Sequence, residues 1–177
     1  MNLILIGYRG SGKSTVGAIL AERLLRRFVD LDRVVTEQAG KPIQAIFAEE
    51  GEEGFRQRER QALLGVRKSK NSIVALGGGA LLNEENRPLT RRLGKVVWLR
   101  APAVVLWSRI RNDPETLTSR PNLTPAGGLA EIEALLVERE RTYRAVAHHA
   151  VDTVSCTPEA VADAIEIWFR AGDGGKD

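Results

Sequence analysis

The residues with the most evident chemical purpose lie near the start of the chain, in Gly7-Tyr8-Arg9-Gly10-Ser11-Gly12-Lys13-Ser14-Thr15. This run fits G-x-x-x-x-G-K-[ST], with an apolar strand pattern before it and a helical pattern after it. Glycines let backbone N–H groups turn inward around phosphate oxygens, and a helix N-terminus adds its positive end. Lys13 then reaches the β- and γ-phosphates, and the Ser14 hydroxyl ligates Mg²⁺. Gly10, Ser11, Gly12, Lys13, Ser14 and Thr15 are therefore the candidate nucleotide cradle. A chance glycine turn would not sit between a strand and a helix.

A magnesium site also needs a carboxylate, usually at the end of an apolar strand. Asp30, in Phe28-Val29-Asp30-Leu31-Asp32, and Asp152, in Ala150-Val151-Asp152, both fit. Asp30 is preferred because its strand follows the cradle helix; Asp152 is assigned to capping the turn before the last helix. Asp30 and Asp32 are two apart, so on a strand their side chains project in the same sense. One can serve the metal while the other meets an acceptor hydroxyl. Spacing alone leaves Asp32 open between that role and capping a helix over Arg33–Gln38.

Two arginines stand where helical patterns expect apolar residues. Arg56 shares a face with Glu59, Leu63 and Val66, and Arg139 shares one with Ile132, Leu136 and Tyr143. An arginine facing inward must be paired or line a cleft, and the alternative is a head that snorkels to the surface. Glu59 at i+3 would orient Arg56. Two planar forks facing one pocket suit a carboxylate. Gly77-Gly78-Gly79 directly follows a strand, where three glycines imply a close backbone approach. Glu49-Glu50, Glu52-Glu53, Arg23, Arg26-Arg27 and His148-His149 read as structural or solvated, and Cys156 as a half-buried free thiol.

The elements that must carry these groups follow from hydrophobic patterning. Five apolar runs read as buried parallel strands: Leu3–Ile6, Phe28–Leu31, Ile73–Leu76, Val96–Leu99 and Ala150–Val154. Helical patterns cover Lys13–Arg26, Glu53–Lys68, Gly128–Ala147 and Pro158–Phe169, the last with Thr157 as N-cap. The alternation predicts an α/β sandwich around a parallel sheet. With 177 residues the chain is read as one domain over 1–170, followed by a frayed tail at 171–177. The polar stretch Asn112–Pro125, with three prolines, reads as a loop that is either functional or disordered.

Composition narrows the function classes. A net charge of +3 with only 5% aromatic residues favours a small anionic ligand over a polynucleotide. The single cysteine excludes an intramolecular disulfide. The first apolar run is too short for a signal peptide or membrane span, so a soluble protein, without membrane or nucleic-acid partners, is expected. No heptad or exposed apolar stripe is evident, and a monomer is expected.

Taken in order, these residues resemble shikimate kinases from Leu3 to Trp168. The resemblance is carried by the cradle, Asp30-Leu31-Asp32, Gly54-Phe55-Arg56-Gln57-Arg58-Glu59, Gly77-Gly78-Gly79, Arg120-Pro121, Tyr143-Arg144 and Val151-Asp152-Thr153 with Pro158. It implies a P-loop kinase fold: a three-layer sandwich with a five-stranded parallel sheet of order 2-3-1-4-5 and a mobile lid at about 112–125. It further implies phosphorylation of the shikimate 3-hydroxyl by ATP with Mg²⁺, a cytoplasmic step toward chorismate and the aromatic amino acids.

By motif position the resemblance gives Asp32 the acceptor hydroxyls and gives Arg56 and Arg139 the carboxylate. Gly77, Gly78 and Gly79 would face the ring hydroxyls, and Ser14 and Asp30 would serve the metal. Arg120 would close onto the phosphates, while Arg111 and Pro158 would sandwich the adenine. The sequence departs from the family at Asn122, where leucine is more common, and at Ser155-Cys156, where arginine or glutamine is common. Rival readings are another small-molecule kinase of the same fold, such as a gluconate or nucleotide kinase, and a nucleotide-dependent switch or nucleic-acid-binding NTPase. A third is a degenerate homologue that binds shikimate without turnover, whose signature, loss of Lys13, Asp32 or Arg120, is absent.

Overall fold

The computed structural model describes residues 1–113 and 127–172. Its centre is one parallel sheet built from β1 (Asn2–Ile6), β2 (Arg27–Asp30), β3 (Ser72–Ala75), β4 (Gly94–Arg100) and β5 (His149–Asp152). The order is β2-β3-β1-β4-β5, with every pairing parallel. All five residues of β1 are buried, which is why that strand carries no polar alternation.

Alternate side chains of the sheet feed two cores. Ile4, Ile6, Val74, Val96 and Trp98 face one layer, built from α2 (Leu31–Ala39), α3 (Ile43–Gly65), α4 (Asn86–Leu93) and α6 (Gly128–Val146). Leu3, Leu5, Ile73, Val97 and Leu99 face the other, built from α1 (Lys13–Arg23) and α7 (Pro158–Ala171). A smaller cluster of Tyr8, Leu106, Ile110 and Ile132 joins the cradle to α5 (Ala103–Arg111) and α6. The expected three-layer sandwich and strand order are those observed.

Three local expectations change. The second strand ends at Asp30, because Leu31 already opens α2. Asp32 therefore sits in the first turn of a helix rather than on a strand. Asp30 is the cap: its Oδ1 accepts a hydrogen bond from the Asp32 N–H at 3.0 Å. Asp152 caps nothing in front of the last helix. It pairs in bidentate fashion with Arg100 across β4 and β5, at 2.6 and 2.7 Å, and that guanidinium holds its carboxyl below the ordinary range. Thr157 caps α7 as expected, accepting from the Ala160 N–H at 3.2 Å.

The third change concerns α3. It begins at Ile43, well before the expected Glu53, and breaks at Gly51, whose φ of 69° is left-handed. Glycine at that position turns the chain so that the second half presents Phe55, Arg56 and Glu59 inward. Most of the expected lid lies outside the described residues, as does most of the expected tail.

Candidate functional site

The carboxyl ends of the central strands open into a cleft of about 520 Å³, the position where open α/β sheets bind ligands. Its floor is the turn from β1 into α1. Gly7, Gly10 and Gly12 have φ of 145°, 77° and 91°, backbone that a residue with Cβ adopts only under strain. A Cβ on Gly7 would also collide with the Leu99 carbonyl. The first turn of α1 holds no acidic side chain, so its positive end is left for an anion. Gly10, Ser11, Gly12, Lys13, Ser14 and Thr15 all line the cleft.

Lys13 Nζ donates to the carbonyls of Gly7 and Tyr8, both at 2.9 Å. The Ser11 hydroxyl is buried without a hydrogen-bond partner among the described residues. Ser14 Oγ donates to Asp30 Oδ2 at 2.7 Å, so the two residues picked for a metal are brought together. A hydroxyl and a carboxylate, with room for water and phosphate oxygens, is the sparse oxygen donor set that Mg²⁺ accepts. Asp32 lines the same cleft.

Of the glycine triplet only Gly78 lines this cleft, and Arg139 and Arg56, which are not among its lining residues, meet the triplet at Gly78 and Gly79. Arg139 is 5% exposed, and its Nη1 donates to the Gly78 carbonyl at 3.2 Å. The buried Tyr143 hydroxyl donates to the same carbonyl at 2.5 Å. Burial pushes the Tyr143 pKa up to about 12, so it stays a donor. Arg56 lies against Gly79, where any Cβ would run into its guanidinium. Burial works against its charge, but Glu59 and Glu52 outweigh that and hold it protonated. The bonds are Nη1 to Glu59 at 2.9 Å and Nη2 to Glu52 at 3.1 Å.

Arg139 differs from Arg56 in one respect. Among the described residues no carboxylate pairs with it, and its Nε is buried without a hydrogen-bond partner. A buried guanidinium in that state is costly unless an anion completes it.

The nucleotide wall is less fully anticipated. Pro158 lines the cleft together with Thr153, Cys156 and Arg109. Arg111 is exposed at the end of α5 and is not among the lining residues. Arg109 instead donates to Thr153 Oγ1 at 2.9 Å and to the Thr153 carbonyl at 2.5 Å. Residues two apart on a helix point about 200° apart, so only one of the two arginines can face the cleft. Leu106 and Ile110, four apart and buried, mark the packed face of α5 and were the signal for choosing between them. The Gly77 carbonyl accepts from the Ala80 N–H at 3.1 Å. Cys156 is exposed rather than half-buried. Arg120 lies outside the described residues.

The shikimate kinase family model matches residues 9–169. A shikimate kinase of Symbiobacterium thermophilum is 42% identical over 176 residues, covering 99% of this chain and 100% of that protein. A solved shikimate kinase of Acinetobacter baumannii, in complex with shikimate, superposes with a TM-score of 0.90 at 34% identity. That match covers 97% of this chain and 93% of the other. A gluconokinase of Sinorhizobium meliloti 1021 matches with a TM-score of 0.58 at 19% identity, covering 98% and 94%, a likeness of fold alone.

Proposed function

Since the chain belongs to the shikimate kinase family, it transfers the ATP γ-phosphoryl group to the 3-hydroxyl of shikimate, and we propose that Lys13, Asp32, Arg56 and Arg139 divide that step between them. The observation that carries this assignment is Arg139: a buried guanidinium beside Gly78 without a carboxylate partner among the described residues. A substrate carboxylate supplies that partner. Arg56, held in place by Glu59 and Glu52, closes the other side of the same fork.

With the acid end fixed, the acceptor ring lies along the glycine triplet and its hydroxyls reach Asp32. Asp32 orients the attacking oxygen and accepts its proton as the new P–O bond forms. The bond from the γ-phosphorus to the β-phosphate oxygen breaks, and ADP leaves. Little covalent work falls to the protein in such a transfer, so positioning and charge neutralisation dominate. Lys13 exchanges the Gly7 and Tyr8 carbonyls that hold it now for phosphate oxygens. The backbone N–H groups of Gly10–Thr15 and the start of α1 stabilise the same charge.

Ser14 and Asp30 hold Mg²⁺ in this reading. Held there, the metal would supply positive charge to offset the negative charge of the phosphates. Arg120 is assigned to the phosphates on the lid side by its place in the family motif. Pro158 forms one face of the adenine site, and Arg109 stands on the wall where Arg111 was expected. The working form is a monomer in the cytoplasm; among the described residues no helix is long and apolar enough to cross a membrane.

Calorimetric titration of shikimate tests the carrying observation. The expected result is one site per chain, weakened about a hundredfold in Arg139→Met by loss of a buried ion pair. Unchanged affinity in that variant removes Arg139 from the acceptor site.

A further inference from the structure

Two residues of the turn after β1 reach toward α6, Tyr8 from beneath the cleft and Arg9 from its lining. Tyr8 is 2% exposed and packs into the cluster that joins α5 to α6. The Arg139 guanidinium lies over its ring, 5.3 Å from the centroid. Arg9 reaches the same region, with Nη2 at 3.3 Å from Glu131 Oε1, and the Glu131 side chain is fully buried. Glu131 and Arg139 are both on α6, eight residues and just over two turns apart, so they share a face. Among the described residues, the Arg9 Nε, the Arg139 Nε and the Tyr8 hydroxyl are all buried without hydrogen-bond partners.

We propose that Glu131 is a positioning residue of the acceptor site: by holding Arg9 it keeps Tyr8 seated beneath Arg139, so that Arg139 presents its Nε edge to the acceptor carboxylate. This rests on the reading of Arg139 as the carboxylate-binding group. The physical need is plain. Arg9 and Arg139 are two guanidinium groups in one partly dry region, and Glu131 is the charge that lets them coexist. Without that charge Arg9 becomes an uncompensated cation beside Arg139, and burial makes such a state expensive. Arg9 must then move, carrying the backbone of Tyr8 with it and leaving Arg139 without its support. Removing both charges relieves the conflict, because replacing a whole buried pair is far milder than breaking it.

Steady-state kinetics of the intact enzyme test this with Glu131→Gln, the double variant Arg9→Met with Glu131→Gln, and Arg139→Met as reference. Glu131→Gln is expected to raise the KM for shikimate about tenfold, with kcat and the KM for ATP within about twofold. The double variant is expected to recover to within about threefold of the parent KM, the signature of coupled residues. A shikimate KM that is unchanged or lowered in Glu131→Gln overturns the proposal. So does an equal rise in both KM values, or a double variant no better than the single one. If Glu131→Gln does not fold, Tyr8→Leu against Tyr8→Phe reads the same support. Leu should raise the shikimate KM and Phe should not, and equal behaviour of the two overturns the proposal. An Arg139→Met variant with normal shikimate KM would instead sink the acceptor reading on which the proposal stands.

Discussion

At the scale of single residues, the site works through groups whose cost is visible in the fold. Arg139 is buried without a carboxylate among the described residues, and Gly79 is bare because Arg56 occupies the space a Cβ would need. Gly79→Ala should therefore displace Arg56 and raise the KM for shikimate about tenfold while the KM for ATP holds, a split that steady-state kinetics reads directly. Asp32→Asn keeps the shape of Asp32 but cannot take a proton. It is expected to lower kcat by 10²–10⁴-fold or more, with nucleotide affinity measured by calorimetry unchanged. Near-normal turnover would take Asp32 out of the mechanism.

Elements decide which of these residues were legible beforehand. The cradle was readable because its spacing, its strand and its helix all agree, and Thr157-Pro158 announced α7 in the same way. Arg56 and Arg139 were readable as candidates because a charge broke an apolar helical stripe. Asp32 was misplaced onto a strand because Leu31 is equally at home ending a strand or opening a helix; only the cap bond from the Asp32 N–H to Asp30 decides it. Arg111 came from motif position alone, and the apolar pair Leu106 and Ile110, which marks the packed face of the nine-residue α5, is the sequence signal that points to Arg109 instead. The Arg9–Glu131 contact joins residues 122 positions apart, and no local pattern carries it.

Two predictions belong to elements. Thr157→Ala removes the cap of α7 and should cost about 1 kcal/mol in urea unfolding; no loss would mean the exposed cap contributes nothing. His148 stands in for a strand residue: its Nδ1 accepts the Val96 N–H at 3.0 Å. Burial, then Arg91 and Lys95, push its pKa below 6.5. The unfolded chain thus binds the proton more readily, so this stabilisation is full above about pH 6.5 and is lost as pH falls through the lowered folded value. Unfolding free energy should fall between pH 7.5 and 5.5, and His148→Asn, which keeps an acceptor, should flatten that slope. An unchanged slope would assign it elsewhere.

At the scale of the whole molecule, one parallel sheet places three separate segments at its carboxyl end: the turn after β1, the start of α2 after β2, and the glycine triplet after β3. The helices α3 and α6 then bring Arg56 against Gly79 and Arg139 against Gly78. The proposed working form is a monomer, so light scattering should give the mass of a single chain across the working concentration range, and a concentration-independent mass of twice that would contradict it.

The central claim is tested most directly by ATP consumption with Mg²⁺, with and without shikimate, alongside gluconate, a nucleoside monophosphate and a polynucleotide. The account predicts ADP release that depends on shikimate, with a product phosphorylated at the 3-hydroxyl, and none above background with the other three. Turnover with gluconate, a nucleotide or a polynucleotide but silence with shikimate would leave the cradle standing and contradict the acceptor site built on Asp32, Arg56 and Arg139.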